Sequence, residues 1–169
     1  MFKVNDYVVY GVTGVCQIED ITEVDNAELS PVQYYVLRPV YAENMTIKVP
    51  VNNKNLVMRA VSTKDKVMSM IAMIPGIQTV WIDNEKQRMN DYKTALRTGK
   101  TEEWIKIIKT LSLERETRSV DGRKLRKTDE DILNTAERYL NEEFAIALNI
   151  EPGQVPDYIL EHIGQEENN

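Results

Sequence analysis

The chain lacks the residues and segments that several classes of protein require. It has one cysteine and one histidine among 169 residues. An internal disulfide is therefore impossible, and a transition-metal site built from His and Cys is not expected. No apolar run reaches the roughly 18 residues that a membrane span needs. The beginning of the chain also lacks the basic, apolar and small-residue regions of a signal peptide, so we expect a cytoplasmic protein with no membrane contact.

The sequence offers no constellation of catalytic residues. A glycine-rich loop completed by Lys-Ser or Lys-Thr is missing, which argues against a nucleotide phosphate site. The adjacent acidic pairs Glu102-Glu103 and Glu142-Glu143 point apart around a helix and make poor acid/base pairs. Cys16 lies in a strand pattern and is interpreted as a small buried hydrophobic residue. We predict no enzyme activity, no cofactor and no small-molecule substrate.

Residues 1–61 carry the pattern of short β-strands. Met45–Val51 alternates cleanly between apolar and polar positions, which is typical of a strand with one buried face. Its Pro50 cannot donate to a ladder and indicates a strand end or an edge. Turn residues and β-branched runs predict further strands at 7–10, 14–24, 33–39 and 57–61, with turns at 25–31 and 42–44. The fold class predicted here is a Tudor-like or SH3-like small β-barrel.

From residue 62 onward the pattern is helical. Apolar residues recur at helical spacing in four stretches, each preceded by a residue able to cap a helix. The predicted caps are Ser62-Thr63, Asp83, Thr101 and Thr128. A short fifth helix is predicted at 155–163 before a polar tail, and Trp104 is predicted to lie in the core. The whole chain is therefore predicted to be α+β, with the barrel followed by a compact bundle of four to five helices.

Charge is distributed unevenly along the chain. The net charge is −6, but residues 83–127 hold 13 Lys/Arg and 8 Asp/Glu, whereas residues 128–169 hold 1 and 11. A basic middle followed by an acidic end allows one part to face a polyanion while the other faces away or folds against it.

Two basic segments are candidates for phosphate contacts. The second helix has a narrow apolar face, and its remaining surface is predicted to carry Lys86, Arg88, Lys93 and Arg97. The predicted linker after the third helix carries Arg115, Arg118, Arg123, Lys124, Arg126 and Lys127. Contacts of this kind position a protein on DNA without reading its sequence. The alternative interpretation is a solvated surface, because acidic residues are interspersed.

Four motifs give the chain a family likeness. They are Phe-Lys-Val-x-Asp-x-Val-Val-Tyr at 2–10, Ile-Glu-Asp-Ile at 18–21, Tyr-Tyr-Val-Leu at 34–37 and Thr-Ile-Lys-Val-Pro-Val at 46–51. In this order they resemble the CarD/CdnL family of bacterial transcription regulators, and the N-terminal part is also similar to the RNA-polymerase-interacting module of transcription-repair coupling factors. The resemblance implies a Tudor-like domain at 1–61 that binds the polymerase β subunit. It also implies a helical domain at 62–169 that contacts promoter DNA at the upstream edge of the transcription bubble.

The resemblance assigns residues to both contacts. Lys48 matches a basic position in the family's Thr-x-basic-Val-Pro strand, which touches the polymerase; without the resemblance it is a solvated strand lysine. Arg38 and Tyr35 complete the predicted polymerase-binding set, and a second contact position, basic in some relatives, aligns near Val24. The predicted DNA-binding residues are Trp81, Lys86, Arg88, Lys93, Arg123, Lys124 and Lys127.

Trp81 lies just before the second helix and has two interpretations. In CarD-like proteins a tryptophan at this helix start wedges against a base step. Counting back from Gly99 without a gap places Glu85 at that position, so Trp81 is displaced by about one helical turn. Trp81 is either an equivalent wedge on a shifted loop or a core residue that joins the two domains.

The functional prediction is a monomeric transcription regulator that binds the RNA polymerase β subunit and promoter DNA. It would be associated with the nucleoid through the polymerase and change open-complex stability without sequence-specific readout. The alternative, from a different class, is a protein–protein scaffold whose barrel binds a peptide or a partner strand and which has no role on DNA.

Overall fold

The computed structural model describes residues 1–11, 13–55 and 57–166, and the side chains of these up to residue 163. The chain separates into two compact units, Met1–Val61 and Ser62–Asn169. No helix in the described ranges is long and apolar enough to cross a membrane.

The first unit is a five-stranded antiparallel sheet with the strand order β4-β3-β2-β1-β5. Its strands are β1 Tyr7–Tyr10, β2 Gly14–Asn26, β3 Leu29–Pro39, β4 Ile47–Pro50 and β5 Met58–Ala60. The inner face is apolar and includes Val8, Ile18, Leu37 and Val49. A register shift between Ile18 and Asp20 interrupts the β2–β3 ladder, and such an irregularity bends and twists a sheet.

The hairpin of β2 and β3 is longer than the sequence predicts. Only Ala27 and Glu28 form the turn, whereas the sequence predicts a turn over 25–31. Pro31 lies within β3, at a level where β4 does not pair with β3, since β4 spans only the positions opposite Tyr34–Leu37. A proline is tolerated there because its missing N–H has no ladder partner to lose.

The described residues of the second unit form five α-helices. They are α1 Lys64–Met73, α2 Glu85–Arg97, α3 Thr101–Val120, α4 Lys127–Leu148 and α5 Val155–Glu166, with short 3-10 turns at Ile74–Gly76 and Pro152–Gln154. α5 continues past the predicted end at 163, and residues 167–169 of the predicted polar tail lie outside the described residues. The predicted fold class, a Tudor-like β unit followed by a helical unit, is confirmed.

Apolar side chains from four helices form the core of the helical unit. Val67 and Ile71 of α1 pack with Leu140 and Phe144 of α4, and Val155 at the start of α5 joins them. Trp104 is buried and lies against the ring of Tyr139 with the ring centroids 5.4 Å apart, as predicted for a core residue.

The predicted cap of α1 is confirmed, whereas the predicted caps of the other three helices are wrong. α1 is capped by Thr63 of the predicted pair Ser62-Thr63, and the Thr63 side chain accepts from the backbone N–H of Lys66. α3 begins at Thr101, and α4 begins one residue before Thr128. The hydroxyls of Ser62, Thr101 and Thr128 donate to carboxylates of other elements. The fourth prediction is wrong by one residue, since the cap of α2 is Asn84 and not Asp83.

Candidate nucleic-acid interface

One end of the helical unit brings together segments that are far apart in the sequence. Arg88 of α2 bonds Asp129 in the first turn of α4. Arg126 and Thr128, at the start of α4, both donate to the carboxylate of Glu85 at the start of α2. We call this region the basic end and define it as Trp81, Lys86, Arg118, Arg123, Lys124, Arg126 and Lys127.

α3 is longer than predicted, and this reshapes the basic end. It continues to Val120, so Arg115 and Arg118 lie on a helix and not on a linker. The connection to α4 is the short stretch 121–126. Gly122 in this stretch has φ +71°, a left-handed conformation that glycine adopts without strain. The exposed Arg123 and Lys124 therefore lie on a tight turn between two long helices.

Arg88 is buried, so the prediction that it lies on the exposed surface of α2 is wrong. Its side chain is 2% exposed and that of Asp129 is fully buried. Nε and Nη2 of Arg88 donate to the two oxygens of Asp129, each over 2.8 Å. This hydrogen bonding with Asp129 raises the pKa of Arg88 above its ordinary value. The guanidinium is already held by protein and is not available to a phosphate.

Trp81 is half-buried and lies against two arginines. The Arg88 guanidinium lies 4.4 Å from the centroid of the indole ring, and the Arg118 guanidinium lies 5.7 Å from it. Both distances are within the range of cation–π attraction. Arg118 is itself held, because its Nε donates to Glu114 over 2.9 Å. The indole is thus fixed by charged side chains from α2 and α3.

The remaining predicted cations are exposed. Lys86 and Lys93 lie seven residues apart on α2, so they share one face. Arg123 bonds Asp121 over 3.2 Å, and Lys127 bonds Asp131 over 2.8 Å, with all four side chains more than half exposed. The hydrogen bond to Asp131 raises the pKa of Lys127. Exposed ion pairs are weak and screened by salt, so a phosphate can replace either carboxylate.

Glu85 occupies the position that the family resemblance gives to a tryptophan. Hydrogen bonds from Thr128, over 3.1 Å, and from Arg126 lower the pKa of Glu85. Its location in the first turn of α2 also favours the ionised form, because a helix N-terminus attracts negative charge. Glu85 thus links α2 to the start of α4, next to the Arg88–Asp129 pair.

The predicted polymerase-binding residues divide between the two faces of the sheet. Tyr35 is 3% exposed, and its hydroxyl accepts from the backbone N–H of Phe2 over 3.2 Å. Its side chain lies on the inner face, so the prediction that Tyr35 contacts a partner directly is wrong. Lys48 is exposed and pairs with Val36 in the β3–β4 register. Arg38, two residues beyond Val36, is therefore a diagonal neighbour of Lys48 on the outer face.

Two buried acids of α4 have partners that the sequence does not indicate. In the sequence Asp129 is one of many acidic residues after 127, because its partner Arg88 lies 41 positions earlier. Glu143, towards the other end of α4, is buried and accepts from Ser62 and Thr101. No local pattern in the sequence identifies either partnership.

Two models of known protein families match the chain. Residues 2–62 match the model of the CarD-like/TRCF RID domain, and residues 66–160 match that of the CarD C-terminal domain. No curated protein matches the chain. The two matches define a transcription regulator that interacts with RNA polymerase. The chain belongs to the CarD family, a family of transcription factors that are generally not enzymes.

Proposed function

We propose that the two units are functional domains with different partners. Residues 1–61 bind the β subunit of RNA polymerase, and residues 62–169 bind promoter DNA near the upstream edge of the transcription bubble. Simultaneous binding changes the stability of the open complex. The observation that carries this proposal is the grouping of exposed cations and Trp81 at one end of the helical unit.

The polymerase contact is assigned to the outer face of the sheet. Lys48 and Arg38 are exposed and close to each other there. Arg38 forms only a loose ion pair with Glu19, 3.6 Å apart, and both side chains are about half exposed. Two such cations can reach acidic groups of a partner at little cost, because neither is buried in its own fold.

The DNA contact is assigned to the exposed cations of the basic end, together with Lys93. Such contacts neutralise phosphates and position a protein without reading sequence. Since the whole chain carries a net charge of −6, its affinity for free DNA is expected to be low and sensitive to salt. Binding to the polymerase raises the effective concentration of the helical domain at the promoter, which compensates for this low affinity.

Trp81 is assigned to the distorted edge of the bubble. An indole combines a flat apolar ring with one polar N–H, which suits packing against an unstacked base step. Its neighbour Arg118 supplies positive charge, and Nη1 of Arg118 donates to the Lys124 carbonyl of the α3–α4 turn over 3.5 Å. In this proposal the protein acts as a cytoplasmic monomer that reaches the nucleoid through the polymerase.

The polymerase half of the proposal is tested with the full-length chain and purified RNA polymerase. A Lys48→Glu, Arg38→Glu double variant is expected to bind the core enzyme at least about 10-fold more weakly, because two attractive contacts become repulsive. The matched control is a Lys3→Glu, Lys54→Glu double variant, which changes the net charge equally at exposed lysines of the same unit outside the strands. Unchanged binding of the Lys48→Glu, Arg38→Glu variant, or an equal loss in the control, would contradict the proposed contact face.

A further inference from the structure

We infer that the buried Arg88–Asp129 pair is a positioning device that holds Trp81 in its DNA-facing arrangement. The inference rests on the proposed DNA role of the basic end. Neither residue is assigned a contact with DNA, because both side chains are almost completely buried. Both act through Trp81, and the geometry of one guanidinium carries the argument.

Arg88 joins three segments of the helical unit. Two of its nitrogens bond the Asp129 carboxylate of α4, each over 2.8 Å. The third, Nη1, donates to the carbonyl of Ile82 over 2.9 Å and approaches that of Asp83 at 3.4 Å. These are the two residues that directly follow Trp81. The planar guanidinium, with its fixed set of donors, can hold a carboxylate and a backbone segment in one arrangement.

The same guanidinium also supports the indole ring. It lies 4.4 Å from the ring centroid of Trp81, so one group fixes both the backbone after Trp81 and a face of its side chain. Asp129 fixes the guanidinium in turn, since it is bonded through both oxygens. Loss of the Asp129 charge is therefore expected to release Trp81 even though Asp129 does not bond the tryptophan.

A purely stabilising role would not require this arrangement. A buried ion pair is often no more stabilising than apolar residues of the same volume, so α2 could be packed on α4 without charges. Apolar residues, however, could not bond the carbonyls of Ile82 and Asp83. The polar contacts of Arg88 thus extend to the segment that follows Trp81. Arg118 also lies against the Trp81 ring, and it donates to the Lys124 carbonyl of the α3–α4 turn over 3.5 Å.

A fixed indole lowers the entropy that must be lost when the basic end binds DNA. Release of the loop would therefore weaken binding to promoter-bound polymerase by about 3- to 10-fold, the range expected for immobilising one large side chain and its loop. The effect should disappear when Trp81 itself is removed, because the pair would then have nothing to position.

The test is a double-mutant cycle in the full-length chain. Affinity for a polymerase–promoter complex is measured for the wild type, Asp129→Asn, Trp81→Ala and the double variant. Asp129→Asn should weaken binding about 3- to 10-fold in the wild-type background and have less than a twofold effect in the Trp81→Ala background. The matched control is Glu143→Gln, a buried acid of the same helix bonded by Ser62 and Thr101, which should change affinity less than twofold. Equal losses from Asp129→Asn in both backgrounds would overturn the inference.

A second readout separates this inference from the proposed DNA role. In a Trp104→Phe background Trp81 is the only tryptophan, so acrylamide quenching of fluorescence reports its exposure. Asp129→Asn should increase the quenching constant, and Glu143→Gln should not. Increased quenching combined with no effect of Trp81→Ala on the promoter complex would support the positioning device and contradict the DNA role of Trp81. Unchanged quenching would overturn the positioning device itself.

A second variant keeps the test decisive if Asp129→Asn does not fold. Arg88→Lys keeps the positive charge but loses the set of donors that reaches both Asp129 and the Ile82 carbonyl. It should increase the quenching of Trp81 in the same direction. A folded Arg88→Lys protein with wild-type quenching and wild-type affinity would contradict the inference.

Discussion

The two units of the chain bury different kinds of residue. In the described part of the chain, every buried polar or charged side chain belongs to the helical unit: Ser62, Arg88, Thr101, Thr110, Asp129, Glu142 and Glu143. The inner face of the sheet is lined by apolar side chains together with Cys16 and Tyr35.

The difference follows from how each kind of element is held in place. Neighbouring strands are joined by backbone hydrogen bonds, which already fix their register, so the side chains need only pack. The backbone hydrogen bonds of a helix are internal to it, so the arrangement of one helix on another depends on side chains. Buried side-chain bonds such as Arg88–Asp129 and Thr101–Glu143 supply specific contacts between helices.

Of the variants that test this difference, Arg88→Ala is expected to cause the largest loss of stability. It leaves the carboxylate of Asp129 buried without its partner, which typically costs about 3–5 kcal/mol. The free energy of unfolding, measured with urea and followed by circular dichroism at helical wavelengths, should fall by this amount. An Arg88→Met, Asp129→Leu double variant should recover much of the loss, because no buried charge remains. A loss below about 1 kcal/mol for Arg88→Ala would mean that the pair is not buried in solution.

A somewhat smaller loss of stability is expected from a cavity beneath the inner face of the sheet. Leu37 is fully buried on its inner face, and Leu37→Ala should cost about 3 kcal/mol through lost burial and the cavity that remains. The matched control is Leu29→Ala in the same strand, where the side chain is 72% exposed; it should change stability by less than about 0.5 kcal/mol. Equal effects at the two positions would contradict the assigned inner face.

The smallest loss of stability is expected when the exposed hydrogen bonds of Glu85, at the start of α2, are removed. The pKa of Glu85 is lowered in the folded state, so its bonds to Thr128 and Arg126 stabilise the fold above the ordinary glutamate pKa. This contribution is lost as the pH falls through the lowered pKa. The stability difference between wild type and Glu85→Gln should therefore be present at pH 6 and shrink towards pH 3, as measured by urea midpoints. A difference that does not change with pH would show that ionised Glu85 is not the source of the stabilisation.

Much of the fold could be predicted because it depends on local patterns. The alternation around Lys48 predicts a strand with one buried face, and β4 has it. The apolar spacing of Leu133, Ala136 and Leu140 predicts the buried face of α4. Each pattern shows which face of a helix or strand is buried, and it can be read from about 10 consecutive residues.

The buried polar contacts of the helical unit could not be predicted, because they join distant residues. Ser62 and Thr101 resemble helix caps in sequence, yet both donate to Glu143, which lies 81 and 42 positions away along the chain. Arg88 resembles one more surface cation of a basic helix, and only Asp129, 41 positions later, explains its burial. A prediction from neighbouring residues alone places Ser62, Thr101 and Arg88 on the surface.

The most direct test of the account is whether the basic end contacts DNA. A variant with Arg123, Lys124 and Lys127 changed to Glu is compared with the wild type in the full-length chain. The control changes Lys64, Lys66 and Lys106, exposed lysines elsewhere on the helical unit, to Glu and so alters the net charge equally. Affinity is measured for RNA polymerase alone and for the polymerase–promoter complex, over a range of salt concentrations.

The account predicts that the basic-end variant binds polymerase alone as the wild type does. Its affinity for the promoter complex should fall at least about 10-fold at low salt, and the log–log salt slope should decrease by about 2–3, as expected when three phosphate contacts are lost. The control variant should retain most of the wild-type affinity and salt slope. Wild-type affinity of the basic-end variant for the promoter complex, with an unchanged salt slope, would contradict the central claim.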